Sequence, residues 1–429
     1  MPVRKATAFI LCAVSVAFTS CSRRNAPIEL STVPIVIWTD KVEIASYVEL
    51  FNASQDKYKA VVEYHSNPCE SLDLYGTVNA DSSSNPDIVI GTALKNSHTR
   101  SYFLPLDYLF TERSLDETRF YPSLLSAGKQ DDKQYILPLS FNMPAVMFST
   151  KYESLIEENY MLSVDQIKEI ASSFNSVNSA GKITAMGFAP SWDGEFLYLV
   201  SLLAGASYRQ EETMFSWDNT QVNNAVEYLR DWTTTANGST TTEQEFSFKY
   251  LYTPKYKQIA TGRCLFSYIS SGDLFNLNGE ILQNIDFRWI HQNHKIPIAD
   301  SLVSLGIFKR SKNTDAAESF IVWLLQENTQ KSLLERTKKM NLNNAVFGIA
   351  GGFSAMKDVT EKDFPMYYQL LLGNLPVSEY LDSVTILPPQ WNTIKQKVII
   401  PYLMEVTDTS KNSNETLGEA LANWKKQNY

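Results

Sequence analysis

Four short turns concentrate the hydrogen-bonding chemistry of this chain. They are Trp38-Thr39-Asp40-Lys41, Gly91-Thr92, Ser191-Trp192-Asp193-Gly194-Glu195 and Ser270-Ser271-Gly272-Asp273. Each follows an apolar run that reads as a strand. In open α/β sheets, ligands sit beyond the carboxyl ends of the strands, so position alone selects these turns. Their mixture of indoles, carboxylates and hydroxyls suits a hydroxyl-rich solute. A flat ring covers the C–H face of a sugar, and one carboxylate accepts from two hydroxyls at once. Each residue also has a plainer reading. Asp40 is placed to cap the helix that follows it, Trp38 to end a strand in the core, and Asp193 to shape its turn. Trp217, Trp232, Trp289, Trp323 and Trp424 read as packing residues.

Other chemistries lack their signatures. There is no Gly-x-Ser-x-Gly elbow, Walker loop or Gly-x-Gly-x-x-Gly turn. His291 and His294 are spaced for one helix face, but no Cys or acid follows at a metal-ligand distance. A glycosidase needs two acids about 5–10 Å apart with one kept protonated, and no spacing here demands that. The expectation is a binding protein with no catalytic residue, cofactor or metal.

The elements that would hold these turns alternate. Pro34–Trp38, Lys59–Tyr64 and Pro86–Gly91 are apolar strands. Between the first two, Ile44, Tyr47, Val48 and Phe51 mark one face of a helix. Strand, helix and strand with continuous apolar strands predict parallel strands covered on both faces. Tyr135–Ser140 and Ala145–Phe148 read as extended, and Lys182–Pro190, Gly262–Tyr268 and Ser301–Ile307 as further strands. The chain closes on Thr416-Leu417-Gly418-Glu419, a capping box that opens a helix striped with Leu417, Ala420, Leu421 and Trp424.

The first residues are not part of that body. Arg4 and Lys5 precede an apolar run from Ala6 to Phe18, then Thr19, Ser20 and Cys21. The run is too short to span ~30 Å of hydrocarbon, but long enough for a secretion signal. The arrangement resembles the lipobox of bacterial lipoproteins, which implies a palmitate-type acylated Cys21 as the new N-terminus. Two chains anchor where one is marginal. Residues 21–32 then read as a tether. The whole chain has 429 residues and a formal charge of −9, and removing residues 1–20 makes it two units more negative. Such a length predicts two domains, and such a charge disfavours nucleic acid. Cys69 and Cys264 remain for pairing, which needs Cα atoms within ~7 Å. They fall in what read as separate domains and are expected to stay unpaired.

Six segments, in order, resemble the family-1 extracellular solute-binding proteins of ABC transporters, the maltose-binding-protein-like group. They are IVIWTDKVEIASYVELFN (35–52), NPDIVIG (85–91), KQYILPLSFNMPAVMFS (133–149), ATGRCLFSYISSGDL (260–274), LGIFKRSKNTDAAESFIVWLLQENTQ (305–330) and ETLGEALANW (415–424). The resemblance implies an α/β fold of two interleaved lobes of the type II periplasmic-binding-protein kind. Residues 33–139 with 300–345 would form the N-terminal lobe, and 140–299 with 346–429 the C-terminal lobe. Hinge crossings fall near Leu137–Asn142, at Ile298–Ser301 and after a 315–335 helix. It also implies ligand contacts at Asp40, Lys41, Asn142, Trp192, Asp193, Glu195, Ser270, Gly272, Asp273 and Trp391. The expected partners are a small carbohydrate, ABC permease subunits and the membrane that holds the lipid. The chain would act as a monomer, periplasmic or on the cell surface. A surface glycan hydrolase and a non-transport adhesin or structural lipoprotein are the alternatives.

Overall fold

The computed structural model describes residues 33–72, 85–112, 114–156, 160–211, 213–298, 300–340, 342, 345–382 and 385–428. The signal, Cys21 and the tether lie outside the described residues.

Two sheets carry the architecture. The first has six strands in the order Phe353–Ser354, Leu137–Phe141, Val303–Ile307, Ile88–Gly91, Ile35–Thr39 and Ala60–Tyr64. The last three are parallel, as their continuous apolar sequence predicts. Val303–Ile307 is not: it runs antiparallel to Ile88–Gly91 and to Leu137–Phe141. It enters the sheet on the chain's return from the second body, so no right-handed crossover dictates its direction. The second sheet has four strands, ordered Ser267–Ser270, Pro144–Ser149, Ile285–His291 and Met161–Ser163. Helices pack against both sheets, giving a mixed α/β fold. Among them Ile44–Ser54 buries Ile44, Tyr47, Val48 and Phe51, the face read from its spacing. At the far end Thr416 and Glu419 complete the reciprocal cap of the last helix, with N–H contacts of 2.8 and 3.2 Å.

The chain passes between the sheets at Asn142–Met143, and back again between His291 and Val303. From 346 onward it first donates Phe353–Ser354 to the edge of the first sheet. It joins the core of the second body, around Phe196, Trp232 and Phe266, from Leu387 onward.

Two expected strands are shorter than their sequences imply. Within 182–190, strand Ile183–Ala185 is partly buried and pairs in a small hairpin with Ser176–Val177. The stretch beyond it lies flush on the preceding helix: a Cβ on Gly187 would stand 2.1 Å from the Ala171 carbonyl oxygen. The Gly187 carbonyl accepts from the amides of Leu265 and Phe266, and its own amide donates to Asn175. These bonds replace a ladder on both segments, so the 262–268 strand begins at Ser267. Cys69 and Cys264 are buried thiols not joined in a disulfide. Burial pushes the Cys264 thiol up to about 12.

Candidate functional site: a cleft at the crossing

The corner where the chain leaves the first sheet is held by one side chain. Asn142 donates through Nδ2 to the Gly351 carbonyl at 2.9 Å, and its Oδ1 accepts from the Ser271 hydroxyl at 2.6 Å. The Ser301 hydroxyl donates to the Asn142 carbonyl at 2.7 Å, and the Ser271 hydroxyl accepts from the Met143 amide at 3.0 Å. The outgoing crossing, the returning crossing and the helix Ser271–Phe275 thus meet at one amide. Gly272 belongs to this packing. A Cβ there would lie 3.2 Å from both Asn142 Oδ1 and the Gly351 carbonyl. Its backbone supports the corner and does not line the cleft beside it.

That cleft encloses about 440 Å³, within the usual size of a small-molecule site. Two helix starts aim polar groups into it. Asp193 caps the helix Gly194–Leu203, its Oδ1 accepting from the Glu195 amide at 2.9 Å. Ser270 caps Ser271–Phe275: its hydroxyl accepts from the Asp273 amide at 3.1 Å and donates to Asp273 Oδ2 at 2.7 Å. Sequence selected both turns because a helix was expected to follow a strand at each, and capping residues are short, polar and local. Asn142, Asp193, Glu195, Ser270 and Asp273 are therefore brought together on one cleft.

Four further groups complete it: Tyr198, Tyr268, Asp300 and Lys395. The Lys395 ammonium sits 2.6 Å from Asp300 and 3.1 Å from Glu195. Burial alone would lower its pKa, but the two carboxylates overcome that and hold it raised. Tyr198 is 3% exposed, and its hydroxyl has no hydrogen-bond partner. Burial, then the Asp300 charge, pushes that hydroxyl well above the ordinary tyrosine range. Burial also raises Asp193. The sequence held signals for some of these. Tyr268 stands two residues before Ser270, on the same strand face. Lys395 stands four after Trp391, one helical turn on. Asp300 follows the apolar crossing Ile296–Ile298 and had no comparable signal.

Two indoles expected at the ligand lie elsewhere. Trp192 stacks on Phe246 with centroids 5.8 Å apart, donates to the Glu243 carbonyl at 3.0 Å, and carries Lys255 over its ring at 4.3 Å. It is absent from the cleft lining. Trp391 is fully buried among Tyr198, Tyr208 and Phe215. Its indole N–H reaches Asp300 at 3.4 Å, so it backs the cleft from beneath. Asp40 and Lys41 stand on the first sheet, 3.7 Å apart, with the Thr92 hydroxyl 3.4 Å from Asp40. They too are outside the cleft lining. Asp40 Oδ1 is buried without a partner, and burial raises its pKa. Glu43 Oε2 is also buried and unpartnered. Its other carboxylate oxygen lies 3.5 Å from where a Cβ on Gly351 would stand, which links the first sheet's rim to the Asn142 corner.

In two larger hollows the arginines are paired. One of about 720 Å³ contains Arg119, which pairs with Glu327 and with Asp358. Another of about 1030 Å³ contains the ion pair of Arg100 and Asp131. His291 and His294 stack on each other at 5.5 Å. Among the described residues, no group of three or more His, Cys, Asp or Glu is arranged to hold a metal. No helix of the described residues is long and apolar enough to cross a membrane.

The description of bacterial extracellular solute-binding proteins matches residues 46–346, more than two thirds of the chain. The chain belongs to that family. Among solved structures it is similar to the sugar-binding protein MalE from Xanthomonas citri, with a TM-score of 0.63, 12% identity, and 92% and 96% of the two chains covered. It is similar also to an ABC substrate-binding protein from Listeria monocytogenes in complex with cycloalternan (TM-score 0.60, 14% identity, 92% and 97% covered). A third likeness is to the cyclic alpha-maltosyl-1,6-maltose binding protein from Arthrobacter globiformis (TM-score 0.60, 16% identity, 91% and 96% covered). No curated protein sequence matches the chain. The fold is therefore the two-lobe type II periplasmic-binding fold, and the protein is a solute-binding protein.

Proposed function

We propose that this chain is the substrate-binding lipoprotein of an ABC importer, and that it captures a small carbohydrate in the cleft beside Asn142. The observation that carries this reading is the convergence of acids, hydroxyls and two tyrosines, one hydroxyl buried without a partner, at the point where the chain crosses between its sheets. Solute-binding structures of like fold that hold a cyclic or linear saccharide support the ligand class. The mechanism is closure: one lobe meets the solute, contacts from the other form only in the closed state, and ligand shifts the population toward it. Asp40 and Lys41 are the groups the first lobe would bring. The loaded form would dock on permease subunits. ATP hydrolysis would belong to other chains, since no nucleotide motif is present here. Diacylation of Cys21 would hold the protein at a membrane surface.

Calorimetry against mono- and oligosaccharides tests the reading, with scattering to follow compaction. Saturable binding with a smaller radius of gyration is expected, and release of a hydrolysis product would contradict it. Cys21→Ala is expected to move the protein from the membrane to the soluble fraction and to abolish palmitate incorporation.

A further inference from the structure

The charges of the cleft do not balance. Asp193, Glu195, Asp273 and Asp300 line it, against the single ammonium of Lys395. That ammonium is shared between Glu195 and Asp300. Asp193 and Asp273 have no ion pair among the described residues. The next cation, Lys255, stands over the Trp192 ring at 4.3 Å and outside the cleft lining, from where its charge acts weakly on Asp193 and leaves Asp273 without a cation. Asp193 is partly buried and Asp273 is exposed, and neutral hydroxyls relieve a surplus of carboxylate charge at such a cleft only in part. A cation relieves it directly.

A second observation points the same way. The Tyr198 hydroxyl, on the cleft wall and 3% exposed, has no partner in the protein. A polar group of the ligand can satisfy it, since the phenol both donates and accepts and takes an N–H or an O–H on its lone pairs. The cleft already accommodates an ammonium on its aromatic face: Lys395 Nζ lies 5.3 Å from the centre of the Tyr198 ring. The Tyr268 hydroxyl lies within the field of all four carboxylates.

We propose that the ligand is a carbohydrate bearing a protonated amine, an aminodeoxy sugar or a short oligomer of one, with its ammonium held by the Asp193 and Asp273 carboxylates and another of its polar groups on the Tyr198 hydroxyl. The proposal rests on the carbohydrate reading above and names the substrate class within it.

Pairs of sugars that differ only by amine in place of hydroxyl test it: glucosamine with glucose, galactosamine with galactose, and deacetylated chitobiose, with its two amines, with cellobiose. Calorimetry on the full-length protein should show at least about tenfold tighter binding of the amine in one or more pairs. The advantage should shrink as salt is raised past ~0.1 M, where exposed charges are screened. Asp193→Asn and Asp273→Asn remove charge while leaving a side chain able to keep the local bonds to Glu195 and Ser270. Their melting temperatures serve as the check on folding. In each, the amine should lose more affinity than its neutral counterpart, taking the ratio toward one. A preference for the neutral sugar, or equal binding, overturns the amine and leaves the carbohydrate reading standing. An amine preference that survives both variants overturns the assignment to these carboxylates. Failure of every sugar to bind overturns this proposal and the carbohydrate reading together.

Discussion

The corner at Asn142 and the wall of the cleft next to it are built from the same kinds of side chain and treat them in opposite ways. At the corner, both ends of the Asn142 amide and the hydroxyls of Ser271 and Ser301 have protein partners. On the wall, the Tyr198 hydroxyl has none, and Asp193 and Asp273 keep local bonds to their own helix starts but form no ion pair among the described residues. A satisfied polar network rigidifies the place where it sits, whereas an unsatisfied one costs stability until something arrives. The contrast separates scaffold from site better than residue type does, since Asn, Ser, Asp and Tyr occur freely in both settings. In the proposed closure the corner would be the fixed pivot and the wall a few residues away would receive the solute.

The largest expected effect belongs to the layer beneath the wall. Trp391→Ala should cost about 3–5 kcal/mol of folding stability, as large buried aromatics do, and should release Asp300 from its indole contact. Chemical denaturation checks it, and a loss below about 1 kcal/mol would show that Trp391 is not the backing described. Next comes the corner. Asn142→Ala leaves the Gly351 carbonyl without its Asn142 donor and the Ser271 hydroxyl without its acceptor there, so a loss of about 2–3 kcal/mol is expected.

Tyr198→Phe is the sharpest test of the contrast. Removing an unpartnered buried hydroxyl should leave stability unchanged or raise it by up to ~1 kcal/mol, while weakening saccharide binding by about 1–2 kcal/mol. A variant that loses stability and keeps its affinity would reverse the assignment of Tyr198 from wall to scaffold. Asp193 makes the same point through pH. Its pKa in the folded state is raised, by burial first, so its contribution to stability is full below the unfolded carboxylate value and is lost as pH rises through the folded one. Asp193→Asn should therefore gain on the parent protein in melting temperature as pH is taken from 4 toward 7. A gap that moves the other way would show the carboxylate to be stabilised by the fold. The smallest effect is expected at Trp192. Trp192→Phe should change saccharide affinity by less than about 0.5 kcal/mol, because its ring is engaged by Phe246 and Lys255 away from the cleft.

What the sequence revealed follows the range over which each feature is decided. The parallel strands, the helix face at Ile44–Phe51 and the final capping box were legible because period and cap are local. So were the caps at Asp193 and Ser270, since a short polar residue that opens a helix marks a cap locally. The ion pairs of Lys395 were not, because they come from Glu195 and Asp300, 200 and 95 residues earlier. The exposure of an indole is also decided by tertiary packing. Trp192 and Trp391 occupy turn-like sequences that look open, yet one is covered by Phe246 and the other by a cluster from three separate segments. The antiparallel entry of Val303–Ile307 was hidden for a related reason: a strand's direction depends on where the chain has just been.

A crystal structure of the protein with its tightest-binding saccharide tests the central claim most directly. The account predicts the sugar beside Asn142, with a ligand donor or acceptor within hydrogen-bond distance of the Tyr198 hydroxyl and others on Asp193 and Asp273. A saccharide seated elsewhere, with that hydroxyl still unpartnered, would contradict it.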